Sequence, residues 1–182
     1  EKAKTTAEKA LKGSPTVQTK KSLITHLANA LNNIGYVYDQ QGDIPKALVY
    51  YHKSLKIQEE IGNKNGIASN LNNIGLIYKN QGDIPKALEY YHKSLNIQEE
   101  NGDKEGIALS LNNIGVIYKR QGDLPKALEC YHKSLKIREE IGDKKGIATS
   151  LNNIGMIYYN QEDLPKALEY NHKSLKIREK NG

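Results

Sequence analysis

The phrase Leu71-Asn72-Asn73-Ile74-Gly75-Leu76-Ile77-Tyr78 constrains this chain more than any other feature, because near-copies of it begin at Leu31, Leu111 and Leu151, a period of 40 residues. Each copy is followed by a second phrase. In the second repeat it reads Gly82-Asp83-Ile84-Pro85-Lys86-Ala87-Leu88, then Tyr91-His92-Lys93-Ser94-Leu95. Self-similarity at a fixed period of this length marks an array whose units bury their apolar faces against one another. A residue that recurs in every copy at equal spacing is therefore architecture before it is a site.

Each repeat predicts two helices. In the first, helix A from about 67 to 81, Leu71, Ile74, Gly75 and Tyr78 fall at i, i+3, i+4 and i+7 and form one buried stripe. A glycine inside that stripe costs about 1 kcal/mol of helix stability. Its recurrence as Gly35, Gly75, Gly115 and Gly155 predicts a close approach where no Cβ fits. Gly82 ends helix A, Asp83 can N-cap helix B, and Pro85 falls in the first turn, where no backbone donor is needed. Helix B is expected to reach Asn101, with Ile84, Ala87, Leu88, Tyr91, Ser94 and Leu95 inside and Glu89–Lys93 paired outside. Gly102-Asp103-Lys104-Glu105-Gly106 reads as the turn into the next repeat. Ahead of the array, residues 1–12 read as a helix stopped by Gly13-Ser14-Pro15, and Thr16 to Gln41 as one long helix or two in line.

Gly75, Tyr78, Ala87, Tyr91 and Ser94 stand at spacings of 3, 9, 4 and 3. This set resembles the tetratricopeptide repeat signature of Gly, Tyr, Ala, an aromatic and a small residue. Leu71 replaces the usual Trp, and Glu99 the usual late Pro of the 34-residue form. The longer period and the Gly-Asp-Lys-x-Gly turn are similar to the long-helix repeats of G-protein-signalling modulator scaffolds and of bacterial signalling proteins. The resemblance covers residues 28–182. It implies an all-α fold, a right-handed α-solenoid of helix-turn-helix repeats, with helix A lining a concave groove. The expected division is an N-terminal helical segment at 1–27, repeats at 28–67, 68–107 and 108–147, and a last repeat at 148–182 without a following helix.

Net charge is +6. Six lysines against two glutamates within residues 1–21 supply +4 of it, leaving +2 for the array. Nucleic acid and membrane are accordingly disfavoured as partners. No apolar run is long enough to span a bilayer. No signal peptide is visible after Glu1, the chain reads as a fragment or processed product, and its compartment is unknown, with the cytoplasm favoured. The lone Cys130 replaces Tyr50, Tyr90 and Tyr170 of the sister copies and reads as a tolerated change on an outer face. His52, His92, His132 and His172 sit a repeat apart, on the order of 15–20 Å from helix spacings, too far to share a zinc ion with bonds of about 2 Å. No nucleophile elbow or phosphate-cradling loop occurs, so no enzyme, cofactor or metal is expected.

On the helical wheel, Ser69, Asn73, Leu76 and Asn80 lie opposite the buried stripe, with Asn72 and Lys79 on one flank and Ile77 on the other. These positions change from copy to copy while the buried ones repeat. Position 76 reads Tyr36, Leu76, Val116, Met156; position 79 reads Asp39, Lys79, Lys119, Tyr159; position 80 gives Arg120 in the third copy. A diverse surface on a uniform frame suits recognition of an irregular protein partner. The paired amides are the sharpest feature: Asn32/Asn33, Asn72/Asn73, Asn112/Asn113 and Asn152/Asn153. Asn is a mediocre helix former, and its amide matches a peptide unit in both donor and acceptor. In scaffolds the chain resembles, groove Asn residues hold extended peptides by the main chain. Asn33, Asn73, Asn113 and Asn153 are the favoured groove-facing set; the alternative is that one Asn of each pair bonds a neighbouring helix. Asn72 and Asn112 complete the expected set. Lys79, Lys119 and Arg120 make its middle positive, implying an extended, acidic peptide. The Lys/Asn set of chaperone-tail-binding repeats is not matched, since Asn32 or Asn72 stands at its first Lys. The alternative function is a scaffold that self-associates end to end, because Leu168, Leu175 and Ile177 lack a following helix A and Asn171 replaces Tyr51, Tyr91 and Tyr131.

Overall fold

The computed structural model describes residues 17–179. The helix expected at 1–12 and its stop at Gly13–Pro15 lie outside the described residues. Eight α-helices are present among those described: α1 Val17–Gln40, α2 Ile44–Glu60, α3 Lys64–Gln81, α4 Ile84–Asn101, α5 Lys104–Arg120, α6 Leu124–Ile141, α7 Lys144–Asn160 and α8 Leu164–Glu179. α1, α3, α5 and α7 are the A helices; α2, α4, α6 and α8 are the B helices. α1 is one helix of 24 residues, not two in line.

Local chemistry sets the boundaries. The carboxylates of Asp43, Asp83, Asp123 and Asp163 each accept the backbone N–H three residues on, all at 3.2 Å, and proline occupies the first turn behind them. The A helices begin earlier than the apolar stripe suggests. Asp103 accepts from the Gly106 N–H at 3.0 Å and Asp143 from Gly146 at 2.9 Å. The expected turn residues Lys104–Gly106 are therefore already the first turn of α5. Glycines at the A-to-B and B-to-A turns take positive φ, from 66° at Gly62 to 81° at Gly82. Glu162 takes the same left-handed conformation, φ 62°, where the sister turns have Gly42, Gly82 and Gly122.

The chain forms two compact units, residues 1–70 and 71–182. In the first, α1 packs on α2 around Ala28, Ala47, Tyr51 and Leu55. Buried polar groups are linked there: Ser54 Oγ donates to the Ala28 carbonyl at 2.7 Å, and Asn70 Nδ2 donates to Ser54 Oγ at 3.0 Å, while Asn70 Oδ1 is left without a partner. In the second unit, Ala87, Tyr91, Leu95, Leu111, Ile114 and Ile117 form one apolar cluster. Ala127, Tyr131, Leu135, Leu151, Ile154 and Ile157 form the next, one repeat on.

The stripe glycines have a specific cause. A Cβ on Gly75 would lie 2.9 Å from the Tyr91 ring, and one on Gly115 would lie 2.7 Å from the Tyr131 ring. The glycine makes room for the buried tyrosine of its own repeat's B helix. A second aromatic pair forms in three repeats: Tyr38 stacks on Tyr50, Tyr78 on Tyr90 and Tyr158 on Tyr170, each with ring centroids 5.5 Å apart.

Candidate protein-binding face

In the first unit, the A helix α1 carries Asn33 and Tyr36 exposed and Asp39 half-buried. Burial pushes the Asp39 carboxyl above its usual range. Asp39 and Tyr36 both act electrostatically on the buried Tyr51 phenol, so these side chains share one neighbourhood.

The second unit carries the rest of the expected set on α3, α5 and α7. Asn73, Leu76 and Lys79 are half-buried on α3, as are Asn112, Asn113, Val116 and Lys119 on α5; Arg120 is exposed. On α7, Asn153 is half-buried and Met156 and Tyr159 are exposed. Val116 also packs against the second apolar cluster, so part of its surface is core.

Asn72 does not belong to this face. It is 7% exposed, and its amide donates to Ser94 Oγ at 2.7 Å and to Ser110 Oγ at 3.0 Å. Ser110 Oγ in turn donates to Gln98 Oε1 at 2.7 Å. One amide thus ties α3, α4 and α5 together through a buried polar seam, where an unmet donor would cost about 1–3 kcal/mol. Asn112 and Asn153 are joined directly: Asn153 Nδ2 donates to Asn112 Oδ1 at 2.8 Å, from α7 to α5. The amides therefore bond neighbouring A helices as well as standing at the surface.

Gln98 and its counterparts Gln58 and Arg138 went unremarked in the sequence, yet all three are buried. The available signal was their place on the buried stripe, four residues after Ser54, Ser94 and Ser134.

The electrostatics of α3 and α5 converge on one spot. Burial, then the nearby Arg120 guanidinium, hold the Lys79 ammonium below its usual range. Arg120 also acts on the Tyr91 phenol, which burial drives strongly upward. The Tyr91 hydroxyl is buried without a hydrogen-bond partner. Arg120 thus acts on both the Lys79 ammonium and the Tyr91 phenol. Elsewhere, His52, His92, His132 and His172 are exposed on the B helices. Among the described residues no group of three or more His, Cys, Asp or Glu could hold a metal, and no helix is long and apolar enough to cross a membrane. Cys130 is half-buried against the first apolar cluster rather than on an outer face, and burial pushes its thiol up.

A fold of paired antiparallel helices, repeated with one buried stripe and a varied A-helix surface, defines an all-α solenoid built as an interaction scaffold. The chain belongs to the tetratricopeptide repeat family, whose model matches residues 26–100 and 106–180. Members of this family bind protein partners and are in general not enzymes. No match is found among curated proteins. Among solved structures, BtubC (BKLC) from P. vanneervenii is similar with a TM-score of 0.76 and 26% identity over 86% of this chain and 65% of its own. Aspartyl phosphate phosphatase F from Bacillus subtilis gives 0.82 and 16% over 87% of this chain and 42% of its own. The apo form of RapI gives 0.78 and 23% over 86% and 44%. The last two show the fold alone, and the chain spans between 42% and 65% of the length of these three proteins.

Proposed function

We propose that the chain is a protein–protein interaction module that takes an extended, acidic peptide segment on its A-helix face. The observation that carries this reading is that Arg120 of α5 acts electrostatically both on the half-buried Lys79 of α3 and on Tyr91, whose hydroxyl is buried without a partner. Two like charges acting on one another, one of them half-buried, are unfavourable alone and become favourable with a carboxylate between them. Lys119 adds charge to α5, Leu76 and Met156 offer apolar contact, and Asn73, Asn113 and Asn153 are the amides proposed to meet the peptide main chain, since an amide both donates and accepts. In the first unit, Asn33, Tyr36 and Asp39 are the proposed contact residues.

A displayed-peptide selection tests this, with wild-type chain, an Asn73→Ala/Asn113→Ala variant and a Lys79→Ala/Arg120→Ala variant, each shown folded by circular dichroism. Enrichment of extended acidic peptides by wild type, lost in both variants, is the expected result. Equal enrichment by all three, or by none, would remove the A-helix face as the site.

A second reading is self-association. The observation favouring it is on α8, where Leu168 and Leu175 are 59% and 51% exposed although their counterparts Leu128 and Leu135 are half-buried and buried.

A further inference from the structure

The third repeat contains a socket shaped for an aromatic ring, without the ring. In the other three repeats a B-helix tyrosine fills this position and meets two recurring partners, with a third added in the fourth repeat. It stacks on the A-helix tyrosine at 5.5 Å. A lysine three residues later lies over it, as Lys53 over Tyr50 at 5.3 Å, Lys93 over Tyr90 at 5.5 Å and Lys173 over Tyr170 at 5.3 Å. In the fourth repeat the preceding B helix adds an edge-on histidine, His132 to Tyr170 at 6.2 Å and 70°. The third repeat keeps every counterpart: Tyr118, Lys133 and His92. Only the ring is replaced, by Cys130. All four residues line one cavity of about 550 Å³ among α4, α5 and α6.

That volume is well above the roughly 150 Å³ of an engineered apolar cavity that takes benzene, and within the range of small-ligand pockets. Its floor is apolar, with Leu95, Leu111 and Ile114. Its rim carries Lys126, Lys133 and Lys136 against Glu99, Glu129 and Glu140. Lys133 already pairs with Glu129 at 2.7 Å, and Glu140 with Lys104 at 2.9 Å. A balanced rim selects against a strongly charged ligand. Tyr118 keeps its lysine, Lys126, 5.4 Å from the ring centroid, so its other face is the one left open to stacking.

We propose that this cavity is a docking socket for a tyrosine side chain presented by a partner polypeptide. The occupant follows from the chain itself, since a tyrosine ring is what the stacking tyrosine and the lysine hold in all three sister repeats, with the histidine added in the fourth. The site is independent of the A-helix face.

The test is a protein-observed NMR titration with N-acetyl-L-tyrosinamide, using N-acetyl-L-leucinamide as the comparison ligand. Saturable shifts centred on Tyr118 and Cys130, at an affinity at least several-fold above that for leucinamide, are expected. Cys130→Tyr fills the socket from within and should abolish binding while raising the melting temperature. Tyr118→Leu keeps an apolar wall but loses the stacking face, and should weaken binding about three- to ten-fold. Tyr90→Cys should open a second socket and add a second binding event. Absence of saturable binding by wild type, equal binding of leucinamide, or unchanged binding by Cys130→Tyr would overturn the proposal. Binding of free 4-methylphenol with exclusion of tyrosinamide would overturn the polypeptide source.

Discussion

Glu162 is held in a left-handed conformation that its sister turns assign to glycine. A side chain there costs roughly 1–2 kcal/mol relative to the right-handed region. Glu162→Gly should therefore stabilise the chain, by somewhat less than that figure because glycine also frees the unfolded state; the urea-unfolding midpoint checks it. Tyr51 makes a pH prediction. Burial, then the neighbouring Asp39 charge, push its phenol from 10.0 to about 12. The folded state holds this proton more tightly than the unfolded state does. Its stabilising effect is complete below pH 10 and is lost as pH rises towards 12. Tyr51→Phe should flatten that part of the stability profile, followed by circular dichroism across the alkaline range.

The polar seam between helices is the main structural device at the scale of elements. Asn72→Ala would remove the amide that bonds both Ser94 and Ser110 in a buried place, and should cost about 1–3 kcal/mol. Asn73→Ala, at a half-buried rather than buried position one residue later, should cost less. Urea titrations of the two variants decide it, and equal losses would refute the division of labour within the pair. Much of each element was legible beforehand. The Gly82 stop, the Asp83 cap, Pro85 and the Glu89–Lys93 pair depend on neighbours a few residues away, so spacing alone exposes them. The role of Asn72 was legible only as an alternative, one Asn of each pair bonding a neighbouring helix, because its partners are 22 and 38 residues distant and the helical wheel assigns it only to a flank. The early start of α5 was missed for a related reason. Glycines usually signal turns, but Gly106 lies inside the first helical turn, and it is a glycine because Asp103 and Gln98 leave no room for a Cβ there. The socket beside Cys130 is likewise a property of three helices together. A single Tyr-to-Cys difference reads as drift until the surrounding contacts are seen to persist.

For the whole molecule, the two readings of function respond oppositely to salt. Binding of an acidic peptide by Lys79, Lys119 and Arg120 draws on charge attraction, which ions screen over about 10 Å at 0.1 M. Lys79 is half-buried and is screened less than the exposed Arg120, so the loss of affinity with salt should be real but incomplete. Self-association through the exposed Leu168 and Leu175 of α8 has the other sign. Apolar burial drives it, and the net charge of +6 on each copy opposes it. Salt relieves that repulsion, so association should strengthen. Light scattering from 0.05 to 0.5 M sodium chloride, run beside a peptide-binding titration, separates the two. Mass rising with salt and protein concentration, and abolished by Leu168→Glu/Leu175→Glu, would establish self-association through α8. A constant monomer mass together with affinity falling over the same range would leave the acidic-peptide reading standing alone. Because the leucines sit on α8 and the cations on α3 and α5, the Leu168→Glu/Leu175→Glu variant should keep its peptide affinity unchanged. A loss of peptide binding in that variant would mean that the two surfaces are one.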